Sequence, residues 1–138
     1  MAVEIHNLQS LLKIDLKLIE RAVHVCTEGE PGDLSISIVD DQAIRKIHGE
    51  HLGKDRPTDV ISFEYGEHGG EVIVSAERAL EEARLRGHDP VEELLLYVVH
   101  GIMHLRGFDD KEEADAEEMW KAQNRMMKKL GYSGNIGP

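Results

Sequence analysis

The feature that most constrains this fold is one segment, DPVEELLLYVVHGIMHLRG, residues 89–107. Asp89 offers a side-chain acceptor to the open N–H groups of a first helical turn. Pro90 fits the first helical position, where its missing N–H is not needed. Gly107 can turn left-handed at little cost and so ends the helix. Between these signals the sequence ELLLYVVHGIMHL is apolar nearly all round. Such a helix is buried, so the remainder of the 138 residues must wrap around it. This length suits one domain with one core. The expectation is a single domain over residues 1–131 and a flexible tail over 132–138.

The flanking segments supply the wrapping. AVEIH alternates and predicts a short strand. Residues 14–27 predict a helix, with Leu12, Leu16, Ile19, Val23 and Cys26 on its apolar side. LSISIVD predicts a strand with Leu34, Ile36 and Ile38 on one face and Ser35 and Ser37 on the other. Asp40 or Asp41 caps a helix through Ala43, Ile44 and Ile47. LGKDRP reads as a loop, TDVISFEY as a third strand, and EVIVS, after the turn EHGG, as a fourth. Ser75 caps the helix AERALEEARLRG, which Gly87 closes. Residues 111–130 predict a last amphipathic helix burying Ala116, Met119, Trp120, Met126, Met127 and Leu130. The fold class is α+β: a small mixed four-stranded sheet packed with about five helices.

Composition narrows the function. Net charge is −11, from 27 acidic and 16 basic residues, which argues against bulk electrostatic binding of nucleic acid but leaves room for a local basic groove. The pairs Glu81–Glu82, Glu112–Glu113 and Glu117–Glu118 fit solvated helix faces. Cys26, the one cysteine, excludes an internal disulfide and reads as buried apolar filler. The first residues hold no basic run or long apolar stretch, and no window reaches membrane-span length. A cytoplasmic protein without a membrane partner is expected.

The buried helix carries the chemistry. His100 and His104 are four apart, so they lie ~40° and ~6 Å apart on one face. Two imidazoles placed so can share one ion, although histidines four apart also arise by chance. Buried rings need partners in any case, and bonds to backbone carbonyls are the alternative. Continued as a helix, the chain would carry residue 110 away from His104. A turn at Gly107 folds it back, so Asp110 can close the site. The order His, four on His, three on Gly, three on ligand is the spacing of metzincin-like zinc sites. Gly101 stands where HExxH proteases carry their general base, which counts against a protease; close helix packing or room above the metal is its expected use. In KDRPTD, Lys54 and Arg56 can hold a phosphate, and Thr58, Asp59 and Ser62 can orient phosphate or water. Alternatively, Lys54 and Arg56 are solvated loop cations, and Pro57–Thr58–Asp59 only sets the start of the strand. His48 and His51 are read as surface histidines ahead of cleft-lining ones.

At these residues the chain resembles the YbeY family of metal-dependent endoribonucleases. LSISIVDDQAIRKIH is similar to the family's strand and helix with its acidic turn. GKDRPTDVISF resembles the family string GKDKPTDVLSF, and GGEVIVSAERALEEA resembles GDIVIS and the helix after it. HGIMHLRGFDD resembles HGxLHLxGYDH, and EEMWKAQNRMMKKLG resembles the closing M-x-x-x-Q helix. The resemblance implies a single-strand-specific endoribonuclease, a hydrolase acting in 16S rRNA 3′-end maturation and ribosome quality control. It implies one divalent ion, zinc first with Ni²⁺ or Fe²⁺ as alternatives, held by His100, His104 and Asp110. His100, Lys54 and Arg56 would be catalytic, and Lys54, Arg56, Thr58, Asp59 and Ser62 would bind substrate. The implied partners are single-stranded rRNA, the small ribosomal subunit and its assembly factors; DNA is not expected. Two positions depart from the family: Asp110 replaces a histidine, and Leu52 replaces an arginine. With Asp110 the zinc site has formal charge +1 rather than +2, so a weaker Lewis acid is expected. The competing readings are a ribosome-associated binding module with weakened catalysis, another zinc-dependent hydrolase with a peptidase-like site, and a non-haem iron site.

Overall fold

The computed structural model describes residues 3–29, 32–52, 59–65, 69–108 and 112–132, without the side chains of residues 50–52. The elements in chain order are β1 (Val3–Asn7), α1 (Leu16–Cys26), β2 (Asp33–Val39), α2 (Asp41–Leu52), β3 (Val60–Glu64), β4 (Gly69–Ser75), α3 (Ala76–Arg86), α4 (Pro90–Leu105) and α5 (Glu113–Lys129). The sheet order is β1-β2-β4-β3. β1, β2 and β4 run parallel, and β3 lies antiparallel along β4. The α+β class with a mixed four-stranded sheet and five helices is as expected.

The alternation in β2 sets the two faces. Leu34, Ile36 and Ile38 pair with Gly70, Val72 and Val74 of β4, and this row faces the larger core with residues of α1, α4 and α5. On the opposite face Val39, Ile61 and Ile73 pack with Ile44 of α2. Each fully buried aliphatic side chain contributes ~1.5–3 kcal/mol, so a one-residue slip of β2 would turn its apolar row into the wrong layer.

Local side chains cap the helices. Asp40 is the cap of α2, its Oδ1 accepting from Ala43 N at 2.8 Å. Ser75 Oγ accepts from Arg78 N at 3.1 Å and donates to Asp41 Oδ1 at 2.7 Å. The starts of α2 and α3 are thereby tied together at the carboxyl end of the sheet. The first helix begins at Leu16 rather than residue 14, because Asp15 Oδ1 accepts from Lys17 N at 3.0 Å and caps it there. Leu12 therefore lies outside the helix, partly buried against the core.

Three packing expectations change. His48 is 6% exposed and so is not a surface histidine; it lies on α2, the helix laid over the sheet's second face. The buried face of α5 includes Ala122, Gln123 and Asn124, whereas Ala116 and Trp120 are only half-buried. Glu93 is 1% exposed, a carboxylate inside a helix that reads as apolar. His88 Nε2 lies 2.5 Å from its Oε2, and Arg86 Nη1 lies 3.9 Å from its Oε1.

Cys26 is buried as expected, and burial pushes its thiol up to about 12, which keeps it neutral and unreactive at ordinary pH. Among the described residues no helix is long and apolar enough to cross a membrane. Tyr132, where the tail was expected to begin, donates its N–H to Met127 O at 3.0 Å and packs against the core. The remaining tail, residues 133–138, lies outside the described residues.

Candidate active site

Helix α4 starts where the sequence indicates. Asp89 Oδ1 accepts from Val91 N at 2.8 Å, and Pro90 occupies the first turn. Its other end is a Schellman turn. Phe108 N donates to Met103 O at 3.0 Å, and Gly107 N donates to His104 O at 3.1 Å. Gly107 has φ 100°, a region costly for side chains that carry a Cβ. The helix therefore stops at Leu105, one residue past His104, with Gly107 making the turn; Asp109 and Asp110 lie outside the described residues.

Two glycines let α4 sit close on the sheet. A Cβ on Gly101 would lie 2.5 Å from Val72 Cγ1 and 3.1 Å from both Ser62 Oγ and Val60 Cγ2. A Cβ on Gly70 of β4 would lie 2.7 Å from Leu105 Cδ1. The glycine after His100 thus has a packing reason, and that space has no room for a protease-type glutamate. Val72 is fully buried and stiff at χ1, so it cannot turn aside. Gly101→Ala is expected to lower stability by up to ~2 kcal/mol. The overpacking cost of about 1–3 kcal/mol is offset in part by ~1 kcal/mol of helix propensity. Urea unfolding measures the change, and a stabilised variant would show that the contact relaxes freely.

The same helix presents two imidazoles side by side. His104 Nε2 lies 3.0 Å from His100 Nε2. The ring centroids are 4.6 Å apart, and the planes meet at 77°. The two outer nitrogens converge on one point. The other nitrogen of His100, Nδ1, contacts Gln123 Oε1 of α5. The site therefore joins α4, β3 and α5.

Of the other residues expected here, Ser62 donates its hydroxyl to Gly101 O at 3.0 Å, next in sequence to His100. Asp59 is exposed at the start of β3, with its carbonyl accepting from Ser75 N at 3.0 Å. Lys54, Arg56, Thr58 and Asp110 lie outside the described residues, as does the side chain of Leu52. Among the described residues no group of three or more His, Cys, Asp or Glu is placed to hold an ion. Gln123 was not singled out from the sequence as a site residue. Its signal is a polar residue within the apolar row Met119, Ala122, Met126, Met127.

The fold is a small α+β domain whose buried central helix carries two facing imidazoles. The chain belongs to the Endoribonuclease YbeY family, hydrolases acting on RNA, whose family model matches residues 3–131. It is 38% identical over 127 residues to Endoribonuclease YbeY of Desulfitobacterium hafniense, spanning 82% of this chain and 81% of that one. With Endoribonuclease YbeY of Carboxydothermus hydrogenoformans it shares 36% identity over 138 residues, spanning 93% and 96% of the two chains. The solution structure of TM1509 from Thermotoga maritima superposes with a TM-score of 0.67 at 27% identity, over 94% of this chain and 89% of that one.

Proposed function

We propose that this chain is a metal-dependent endoribonuclease, specific for single strands, that acts in 16S rRNA 3′-end maturation and ribosome quality control in the cytoplasm. The observation that carries the reading is the convergence of His100 Nε2 and His104 Nε2 at 3.0 Å, together with membership of an endoribonuclease family. Two nitrogens on one tetrahedral zinc ion, each ~2.0–2.1 Å from it, lie roughly 3.3 Å apart. The pair needs to open by only a few tenths of an ångström, so the donor set fits. We assign the metal to His100, His104 and Asp110. A bound divalent ion, zinc ahead of nickel or iron(II), acidifies a water or polarises a phosphate oxygen.

The chain's own residues do the rest. Lys54 and Arg56 hold the scissile phosphate and neutralise charge that develops on it. Thr58 and Asp59 orient phosphate or water at the loop wall. Ser62 holds α4 against β3 through Gly101 O, and its oxygen keeps acceptor capacity toward the site. A net charge of −11 keeps duplex nucleic acid off most of the surface, so RNA is engaged locally. Small-subunit assembly intermediates and their assembly factors are the partners in this reading. A peptidase reading has no support, because Gly101 leaves no position for the general base.

Metal analysis of purified protein, paired with cleavage of a single-stranded RNA, tests this. About one ion per chain and chelator-sensitive cleavage are expected. Asp110→Ala should weaken metal binding. Asp110→His should raise cleavage roughly tenfold by restoring the +2 centre. Metal-free protein whose RNA cleavage ignores chelators sinks the reading. Identical metal affinity and rate in both Asp110 variants removes Asp110 from the ligand set.

A further inference from the structure

The geometry points to Gln123 as a positioning residue that locks His100 in the tautomer able to donate its Nε2 lone pair to a cation. This inference rests on the proposed metal reading of the pair. The amide oxygen Oε1 of Gln123 faces His100 Nδ1. A carbonyl oxygen only accepts, so Nδ1 must carry the hydrogen and Nε2 is left with its lone pair. That nitrogen is the one facing His104 Nε2 at 3.0 Å.

Gln123 is 7% exposed and lies on the face of α5 that also buries Met119, Ala122 and Met127. Packing therefore holds the amide in place, and through it α5 reaches the site. Histidines that ligate metals commonly donate their second N–H to such an oxygen. A carboxylate is the frequent partner. An amide sets the same tautomer without adding charge, which suits a site where Asp110 already brings one negative charge.

The tautomer is readable without metal, by ¹⁵N chemical shifts of the His100 ring in apo protein. Wild type and Gln123→Glu are expected to show Nδ1–H. Gln123→Met, close in volume but without an acceptor, is expected to populate Nε2–H and to weaken zinc 10–100-fold in chelator competition. Gln123→Glu should bind zinc at least as tightly as wild type. If Gln123→Met does not fold, the glutamate variant decides. An Nδ1–H ring with undiminished zinc affinity upholds the inference, and a weakened affinity or an Nε2–H ring overturns it. A folded Gln123→Met with wild-type tautomer and affinity also overturns it. Wild-type protein that binds no zinc overturns the metal reading, whereas zinc bound equally well by wild type and by folded Gln123→Met overturns this inference alone.

Discussion

His104→Ala is expected to lower zinc affinity about 10³-fold, or ~4 kcal/mol, and to reduce RNA cleavage to background. The binding free energy of a zinc ion held by side chains is ~10–16 kcal/mol, shared among three or four ligands. Removing one imidazole forfeits its share. It also leaves His100 Nε2 facing a void where His104 Nε2 stood 3.0 Å away. The fold should survive, because His104 is only half-buried at the last turn of α4. The turn after it is held by the Met103 and His104 backbone carbonyls, which alanine keeps. Chelator competition gives the affinity, circular dichroism checks the fold, and a labelled single-stranded RNA gives the rate. Zinc bound at wild-type affinity by the folded variant would place the ion away from this pair.

The parts legible in the sequence were those set by local chemistry. Asp89, Pro90 and Gly107 bound α4 because caps and left-handed glycines act within a few residues. The strand faces followed from the two-residue alternation in LSISIVD. The histidine pair followed from helical pitch alone. What could not be read depends on partners distant in the chain. The order β1-β2-β4-β3 puts β4 between β2 and β3, a choice made by tertiary packing rather than by any one segment. His48 looked like a surface ring in a polar helix, but α2 lies on the sheet and buries it. Gln123 contacts a histidine 23 residues earlier; its place in the M-x-x-x-Q string and its oddity within an apolar row marked it, but neither named its partner. Close helix packing, one of the two uses expected of Gly101, is what the contact with Val72 shows, although the partner strand could not be read from the helix itself.

His88→Ala is expected to cost ~3 kcal/mol of stability while leaving zinc affinity unchanged. Glu93 is the carboxylate at risk. It is 1% exposed, and among the described residues its closest polar partner is His88 Nε2 at 2.5 Å, with Arg86 Nη1 at 3.9 Å. Removing one member of a buried ionic pair typically costs about 3–5 kcal/mol, because the other is left uncompensated. Here Arg86 remains, and His88 is partly exposed, so the lower end applies. Glu93 also acts on Tyr97, whose phenol is pushed up by burial first and by this carboxylate next. The same side chains link the end of α3 to the start of α4. At this chain length ~3 kcal/mol lowers the thermal midpoint by roughly 10 °C. Thermal and urea unfolding read the loss. Glu93 lies seven residues before His100, ~10 Å along the helix, so the metal site should not sense the change. His88→Gln, which can still donate to Glu93, should recover much of the loss. Replacing both partners, His88→Ala with Glu93→Met, should do better than His88→Ala alone, because no charge is then left buried. A loss under ~0.5 kcal/mol in His88→Ala, the range of an ordinary surface substitution, would show that Glu93 is satisfied without the histidine and that the clasp between α3 and α4 is apolar.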